Sequence, residues 1–342
     1  MRVLFIGGTG TISTAASHQA LEEGWELYLL NRGTHPERTP EGAKLLRADI
    51  TKADAVEKAL GKLRFDVVVD FIAFVPEQVK RDVELFQGRM EQYIFISSAS
   101  AYQKPLNHYR ITESTPLRNP FWQYSRDKIA CEELLMREYR ENGFPVTIVR
   151  PSHTYDERSI PIAIHGKRGN YQTIDRILKG KPVLLPGDGT SLWTITHTKD
   201  FAKGFVGLMG NPDAIGEVVQ ITSDEALSWN RIYDSIGRAL GVPVKRFYVS
   251  SHFLAACDDF FEGGMIGDKA NTAVFDNSRL KRLVPGFRAE IPFEEGCREA
   301  LAYILSHEEC RPLDAPFDAF CDAVIEELGS AAERVKKRVD LE

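Results

Sequence analysis

The stretch Met1-Arg2-Val3-Leu4-Phe5-Ile6-Gly7-Gly8-Thr9-Gly10-Thr11-Ile12-Ser13 opens the chain, and its order of residue types decides the fold. Val3 to Ile6 is an unbroken apolar run, the mark of a strand buried on both faces. Glycines end it after four residues, and no small-residue cleavage site follows, so it reads as a first strand and not as a signal segment. Glycine is required where a chain turns sharply and where backbone approaches a pyrophosphate closely. A helix opening directly afterwards offers free N–H groups and a positive dipole end to that anion. The segment therefore predicts a nucleotide-binding turn lined by Gly7, Thr9, Gly10, Thr11 and Ile12.

Outward from this turn, apolar runs at 26–30, 44–47, 67–71, 93–97 and 146–149 alternate with helical stretches at 14–23, 52–61, 76–87 and 123–142. That alternation predicts an α/β fold, a doubly wound parallel sheet of Rossmann type. After Arg150-Pro151 turn signals crowd in, at HGKRGN (165–170), PGDGTS (186–191) and GNP (210–212), and a smaller lobe is expected to begin. The expected division is an NAD(P)-binding domain over 1–160, rejoined by about 195–223. A discontinuous C-terminal substrate-binding lobe would take 161–194 and 224–340. An amphipathic helix is expected at 317–337, and its RVKKRV end reads as a solvated face. The last two residues, Leu341-Glu342, read as a vector remnant.

The 342 residues are about twice the ~150 of a typical domain. With 43% hydrophobic and 27% charged residues the chain is globular, which excludes disorder, collagen and coiled coil. A net charge of −6 supplies no overall cationic field for nucleic acid or an anionic membrane. No apolar run approaches the ~18 residues of a membrane helix. The five cysteines, Cys131, Cys257, Cys297, Cys310 and Cys321, form no CxxC pair. A reducing, cytoplasmic setting is expected, with neither a disulfide framework nor a structural metal. His307, Glu308, Glu309 and Cys310 are adjacent but lack metal-ligand spacing.

Three further stretches carry chemistry. The second strand run ends in Asn31-Arg32, where the adenosine ribose would lie; an acidic residue would favour NAD there, whereas a guanidinium suits the 2′-phosphate of NADP. YSRDK, Tyr124 to Lys128, places a phenol and an ammonium one helical turn apart on one face. A Tyr of pKa ~10 is a poor base at neutral pH, and lowering it by about three units takes on the order of 4 kcal/mol. A nearby Lys charge, joined by that of an oxidised nicotinamide, supplies such a shift. Of the eleven tyrosines only Tyr124 has Lys at this spacing. FISSASAY, Phe95 to Tyr102, then brings the hydroxyls of Ser97, Ser98 and Ser100 to a strand end.

In this order the motifs resemble the extended short-chain dehydrogenase/reductase family, of the NAD(P)-dependent epimerase/dehydratase type. The resemblance runs from Met1 to about residue 305. It implies that Asp49-Ile50 contact adenine and that Phe71-Ile72-Ala73 lie along the cofactor. It also implies that Pro151 and His153 run past the nicotinamide, that Ser98 is the catalytic hydroxyl beside Tyr124 and Lys128, and that Ser97, Tyr124 and Lys128 also contact the cofactor, Lys128 at its ribose hydroxyls. GDGTSLWTITHTKDFA (187–202) and DNSRLKRLVPGF (276–287) match two signatures of the family's substrate lobe.

The departures bear on chemistry and substrate. Ser13 stands for a third glycine. Ala99-Ser100 stand where dehydratases of the family carry an Asp-Glu pair, so elimination of water is disfavoured. Trp193 stands where nucleotide-sugar enzymes place a phosphate-binding Arg, and a second family Arg has no counterpart in GGMIGDKAN (263–271). Losing guanidiniums removes charge-assisted contacts to phosphate. The expectation is therefore an enzyme transferring hydride reversibly at a secondary hydroxyl of a sugar-like small molecule, epimerase-like, with Trp193, Ser98 and Ser100 at the substrate. The resemblance also implies a homodimer. Two alternatives accompany it: an NADP-dependent reductase of a non-nucleotide substrate, suggested by Arg32, and a non-catalytic RNA-binding relative.

Overall fold

Five apolar runs of the first half become the strands β1 (Arg2–Ile6), β2 (Glu26–Asn31), β3 (Lys44–Arg47), β4 (Phe65–Asp70) and β5 (Met90–Ile96). With Val146–Pro151 and Val218–Ile221 they form one sheet, ordered Val218–Ile221, Val146–Pro151, β5, β4, β1, β2, β3. Every neighbouring pair is parallel. The computed structural model describes residues 1–339; Leu341-Glu342 and the last position of the expected lobe lie outside it.

The continuous apolar runs follow from burial on both faces. Leu4, Ile6, Tyr28 and Val68 face one core, closed by α2 (Ala53–Leu60), α3 (Pro76–Phe86) and α4 (Gln123–Asn142). Val3, Phe5, Leu27 and Val67 face the other, closed by α1 (Thr11–Glu22) and the helix Thr198–Leu208. From β1 the chain passes first to β2 on one side and later to β4 on the other. This reversal opens a crevice at the carboxyl ends of the strands, where ligands of such sheets bind.

Two compact units divide the chain. One comprises Met1–Asp156, Leu192–Ala226 and Asn271–Pro292; the other comprises Glu157–Ser191, Leu227–Ala270 and the remainder from Phe293. The segment 271–292, expected in the smaller lobe, belongs instead to the first unit. Val274-Phe275 pairs with Arg110-Ile111, Asn277 Nδ2 donates to Thr222 O at 2.9 Å, and Leu280 and Phe287 enter the sheet core. The second unit is built from the helices Tyr171–Leu178, Trp229–Leu240, Phe293–Ser306 and Ala315–Lys336 and the parallel pair Val183–Pro186 and Arg246–Val249. Its fully buried Arg176 bonds Asp318 and Asp322 at 2.6 and 2.8 Å. Residues 332–339, which include the basic end of the last helix, are exposed. Among the described residues no helix is long and apolar enough to cross a membrane.

Candidate active site

The turn after β1 is possible only with glycine. Gly7 and Gly8 have φ of 102° and 87°, where side chains are strained. Space is also missing: a Cβ on Gly8 would stand 2.5 Å from Leu29 Cδ2, and one on Gly7 3.1 Å from Ile72 Cγ2. Ser13 braces the turn, its Oγ accepting the Gly10 N–H at 2.8 Å, while Ser17 Oγ donates to Gly8 O at 3.1 Å. With that bracing α1 begins at Thr11, three residues earlier than expected. The helix has no side-chain cap and no acidic residue in its first turn. Its leading N–H groups, at Thr11 and Ile12, lack intrahelical partners. Thr9 is half-buried, and Gly10 and Thr11 are exposed. This cradle has the shape and electrical sign that a dinucleotide pyrophosphate needs, so the residues fit an NAD-type cofactor.

Beyond β2, Asn31 is occupied inside the protein: its Nδ2 donates to Gly7 O at 3.2 Å and its Oδ1 accepts Gly33 N–H at 2.8 Å. Arg32 is exposed beside it. Arg47, which the sequence did not single out, reaches the same turn. It is the register neighbour of Asn31 across β2 and β3, and its Nε lies 2.9 Å from where a Gly33 Cβ would stand. Asp49 accepts the N–H and hydroxyl of Thr51 at 3.0 and 2.8 Å. Those bonds, aided by the charge of Arg32, hold its carboxyl below the usual range. Ile50 is buried.

After β4 the three cofactor-facing candidates separate. Phe71 turns inward against Phe5 and Phe205, at 5.1 and 5.6 Å. Ile72 is 39% exposed against the glycine turn, and Ala73 offers its carbonyl to Lys128. The loop is held by Asp70, whose Oδ1 accepts the N–H of Ile72 at 2.5 Å and of Ala73 at 2.8 Å. Asp70 is fully buried, as is Asp82, which accepts the Tyr93 hydroxyl at 2.7 Å. Burial first, and then the charge of Asp70, raises the Asp82 carboxyl well above the usual range.

On α4, Tyr124 and Lys128 share one face. Lys128 is 2% exposed, and its Nζ donates to the carbonyls of Ala73 and Ile96, both at 2.7 Å. The rings of Phe74, Phe95 and Tyr124 lie 4.6, 4.7 and 5.9 Å from that nitrogen. Burial pushes the ammonium down to about 8. Tyr124 sits half-buried, 5.0 Å from the Trp122 ring and 6.2 Å from that of Phe74.

Ser98 lies at the end of β5, half-buried, in a chain of hydroxyls. Its Oγ is 2.9 Å from Ser100 Oγ, and Ser125 Oγ donates to Ser100 Oγ at 2.8 Å. Asn119 Nδ2 steadies the chain, donating to Ser100 O at 2.9 Å and Ser125 Oγ at 3.2 Å. Ser100 is only 5% exposed, and the chain occupies its hydroxyl. Ser97 donates to Glu132, which binds Arg150 through both oxygens at 2.9 and 2.5 Å. Pro151 is buried, and half-buried His153 meets Trp193 edge-on at 6.5 Å. Trp193, on the strand Leu192–His197, is 4% exposed, so its ring is buried.

Residues 3–222 match the family described as NAD dependent epimerase/dehydratase. The chain belongs to that family. The chain is similar to a 2′-dehydrokanamycin reductase of Streptomyces kanamyceticus, 24% identical over 84% of this chain and 80% of its own. A chloroplast stem-loop binding protein of Arabidopsis thaliana is 26% identical over 71% of this chain and 64% of its own. Among solved structures, the UDP-glucuronic acid 4-epimerase of Bacillus cereus, in complex with UDP-glucuronic acid and NAD, superposes with a TM-score of 0.72. It is 20% identical and covers 90% of this chain and 99% of its own, which identifies the fold. The protein is thus an NAD-dependent enzyme of the epimerase/dehydratase family.

Proposed function

We propose that this family member moves hydride reversibly at a secondary hydroxyl of a sugar or sugar-like molecule, in the manner of an epimerase, with Tyr124 as acid–base group. The carrying observation is the buried ammonium of Lys128, fixed by two carbonyls beneath Tyr124. A positive charge there favours the phenolate, so Tyr124 takes the hydroxyl proton of the substrate and returns it in the reverse step. Ser98 donates to the substrate oxygen as negative charge grows on it, its orientation set by Ser100 and Ser125. A nicotinamide, when bound, supplies the hydride acceptor and donor. Ala99 and Ser100 offer no carboxyl for elimination of water, so dehydration is not part of this reading. Trp193 in place of a guanidinium, and a relative named for 2′-dehydrokanamycin, support a sugar without a nucleotide diphosphate. The net charge of −6 and the presence of Ser98, Tyr124 and Lys128 speak against the RNA-binding alternative.

Arg32 and Arg47 support NADP as the preferred dinucleotide, because both guanidiniums stand at the turn where a 2′-phosphate would lie. Calorimetric titration of NAD+ and NADP+ tests cofactor and preference together. The wild type is expected to bind NADP+ more tightly. The Arg32→Ala/Arg47→Ala variant is expected to lose ~10-fold or more of that affinity with little change for NAD+. Failure of both dinucleotides to bind would overturn the cofactor reading; an unchanged ratio would overturn the role of the arginines.

The five cysteines are free, which supports a reducing, cytoplasmic setting. A homodimer built on α4 completes the proposal. Leu135 is buried beneath that helix, whereas Ile129, Leu134 and Met136 retain partly exposed apolar surface. Light scattering at micromolar concentration should give twice the chain mass, and a monomer would exclude the dimer.

A further inference from the structure

Two buried acids stand at the cofactor loop, and the chemistry above leaves one of them, Asp82, unused. Asp70 ends β4 and Asp82 lies on α3; both are fully buried. Arg81 Nη2 reaches both, at 2.7 Å from Asp82 Oδ1 and 3.7 Å from Asp70 Oδ2, so the geometry sets the two carboxyls side by side. The donors around them are unequally shared. Asp82 accepts Arg81 Nε and Nη2 on Oδ1 and the Tyr93 hydroxyl on Oδ2. Asp70 accepts the N–H groups of Ile72 and Ala73 on Oδ1. Among the described residues no N–H or O–H donates to its buried Oδ2, since the 3.7 Å contact with Arg81 is too long for a hydrogen bond.

A carboxyl oxygen closed to water, without a donor and beside a second carboxyl, has room for one more hydrogen. Two buried carboxylates close together repel strongly, and a single proton held between them removes that cost. The groups facing the pair come from three further positions. Arg81 on α3 carries a permanent charge. Tyr93 on β5 stays protonated, because burial and the charges of both acids raise its phenol. From α4, Lys128 feels Asp70 through space, with Cys131 and Glu132 on its own helix. Burial and the charge of Asp70 raise the Asp82 carboxyl, the direction that the unfilled oxygen requires.

The loop connects this pair to the active site. Asp70 Oδ1 holds the Ile72 and Ala73 peptides, and Ala73 O accepts Lys128 Nζ at 2.7 Å. We propose that Asp70 and Asp82 share one proton, and that Asp82 is thereby a positioning residue for Lys128. The hydrogen bond between the two acids fixes Asp70 in its grip on the loop, and Ala73 passes that order to the ammonium. The proton also keeps a second negative charge away from Lys128. The effect on turnover rests on the acid–base reading of Tyr124 and Lys128; the shared proton does not.

Infrared spectroscopy of the full chain at neutral pH reads the proton directly, because a protonated carboxyl absorbs apart from a carboxylate. Subtracting Asp82→Asn from wild type is expected to leave the band of one protonated acid. A difference in the carboxylate band alone overturns the proposal. The pH profile of kcat gives a second reading, in which a carboxamide stands for the protonated acid. Asp82→Asn should therefore keep the alkaline limit at about 8. If Asp82 were ionised in the wild type, the substitution would remove a negative charge and move that limit to lower pH, which also overturns the proposal. Asp82→Leu cannot donate to Asp70, and its kcat should fall ~10-fold below that of Asp82→Asn. Equal kcat in the two variants overturns the positioning role. Should Asp82→Leu not fold, the infrared difference and the alkaline limit of the Asn variant decide. Should the acid–base reading itself fail, through full turnover in Tyr124→Phe, the infrared difference still decides the shared proton.

Discussion

Tyr124→Phe is expected to lower turnover by ~10²–10⁴-fold while leaving dinucleotide affinity nearly unchanged. The substitution deletes one oxygen from a half-buried ring packed against Trp122 and Phe74, so the fold has no cavity to absorb. The glycine turn, the start of α1 and the loop held by Asp70 are untouched, and these form the cofactor cradle. What disappears is the group that exchanges a proton with the substrate hydroxyl. The paired measurement is kcat for a sugar oxidised by the wild type, and the Kd of the dinucleotide for both proteins. Full turnover in the Phe variant would remove Tyr124 from the chemistry. The wild-type rate should also decline as pH rises through about 8. Burial depresses Lys128 to that value, so its charge, and with it the support for the phenolate, is lost above it.

The parts of this site that were legible in the sequence are those whose geometry is local. A strand, a tight turn and a helix N-terminus are contiguous, so Gly7 to Ile12 could be read directly. Tyr124 and Lys128 are joined by the helical repeat, and the serines of FISSASAY by a strand end. What could not be read depends on contacts between distant segments. Arg47 reaches the cofactor turn only because β3 pairs with β2 in a register that sets it beside Asn31. Asp70 and Asp82 are twelve positions apart, and only the packing of α3 on β4 brings the charge of one to bear on the other. Ser125 follows Tyr124 in the chain, yet its link to Ser98 runs through Ser100 across a gap of 25 residues. Residues 271–292 were misplaced for the same reason: their signals are local turns, whereas their position is set by the pairing of Val274-Phe275 with Arg110-Ile111. Trp193 shows the same limit: the sequence sets an indole where the family carries a guanidinium, but its burial, at 4% exposure, is decided by the packing of distant segments.

Glu132→Ala is expected to destabilise the protein by about 3–5 kcal/mol, the loss typical of breaking a buried ion pair from one side. Glu132 and Arg150 are 3% exposed each, and both carboxylate oxygens are bonded to the guanidinium. Burial alone would lower the Arg150 pKa; the bonds and charge of Glu132 reverse this and raise it. With Glu132 gone, the guanidinium keeps little beyond the Tyr102 ring at 4.7 Å and a 3.4 Å contact with Glu113 O, inside a region closed to water. Urea unfolding measures the effect, and a loss below about 1 kcal/mol would show the pair to be dispensable. The double variant Glu132→Leu/Arg150→Met separates stability from function. Apolar residues of similar volume should restore much of the stability, because the desolvation of both charges is no longer required. They cannot accept the Ser97 hydroxyl, which Glu132 holds one residue before Ser98 and one helical turn beyond Lys128. The double variant is therefore expected to fold well and still turn over slowly. Recovery of both properties together would make the pair purely structural, whereas recovery of stability alone would place it in the support of Ser98 and Lys128.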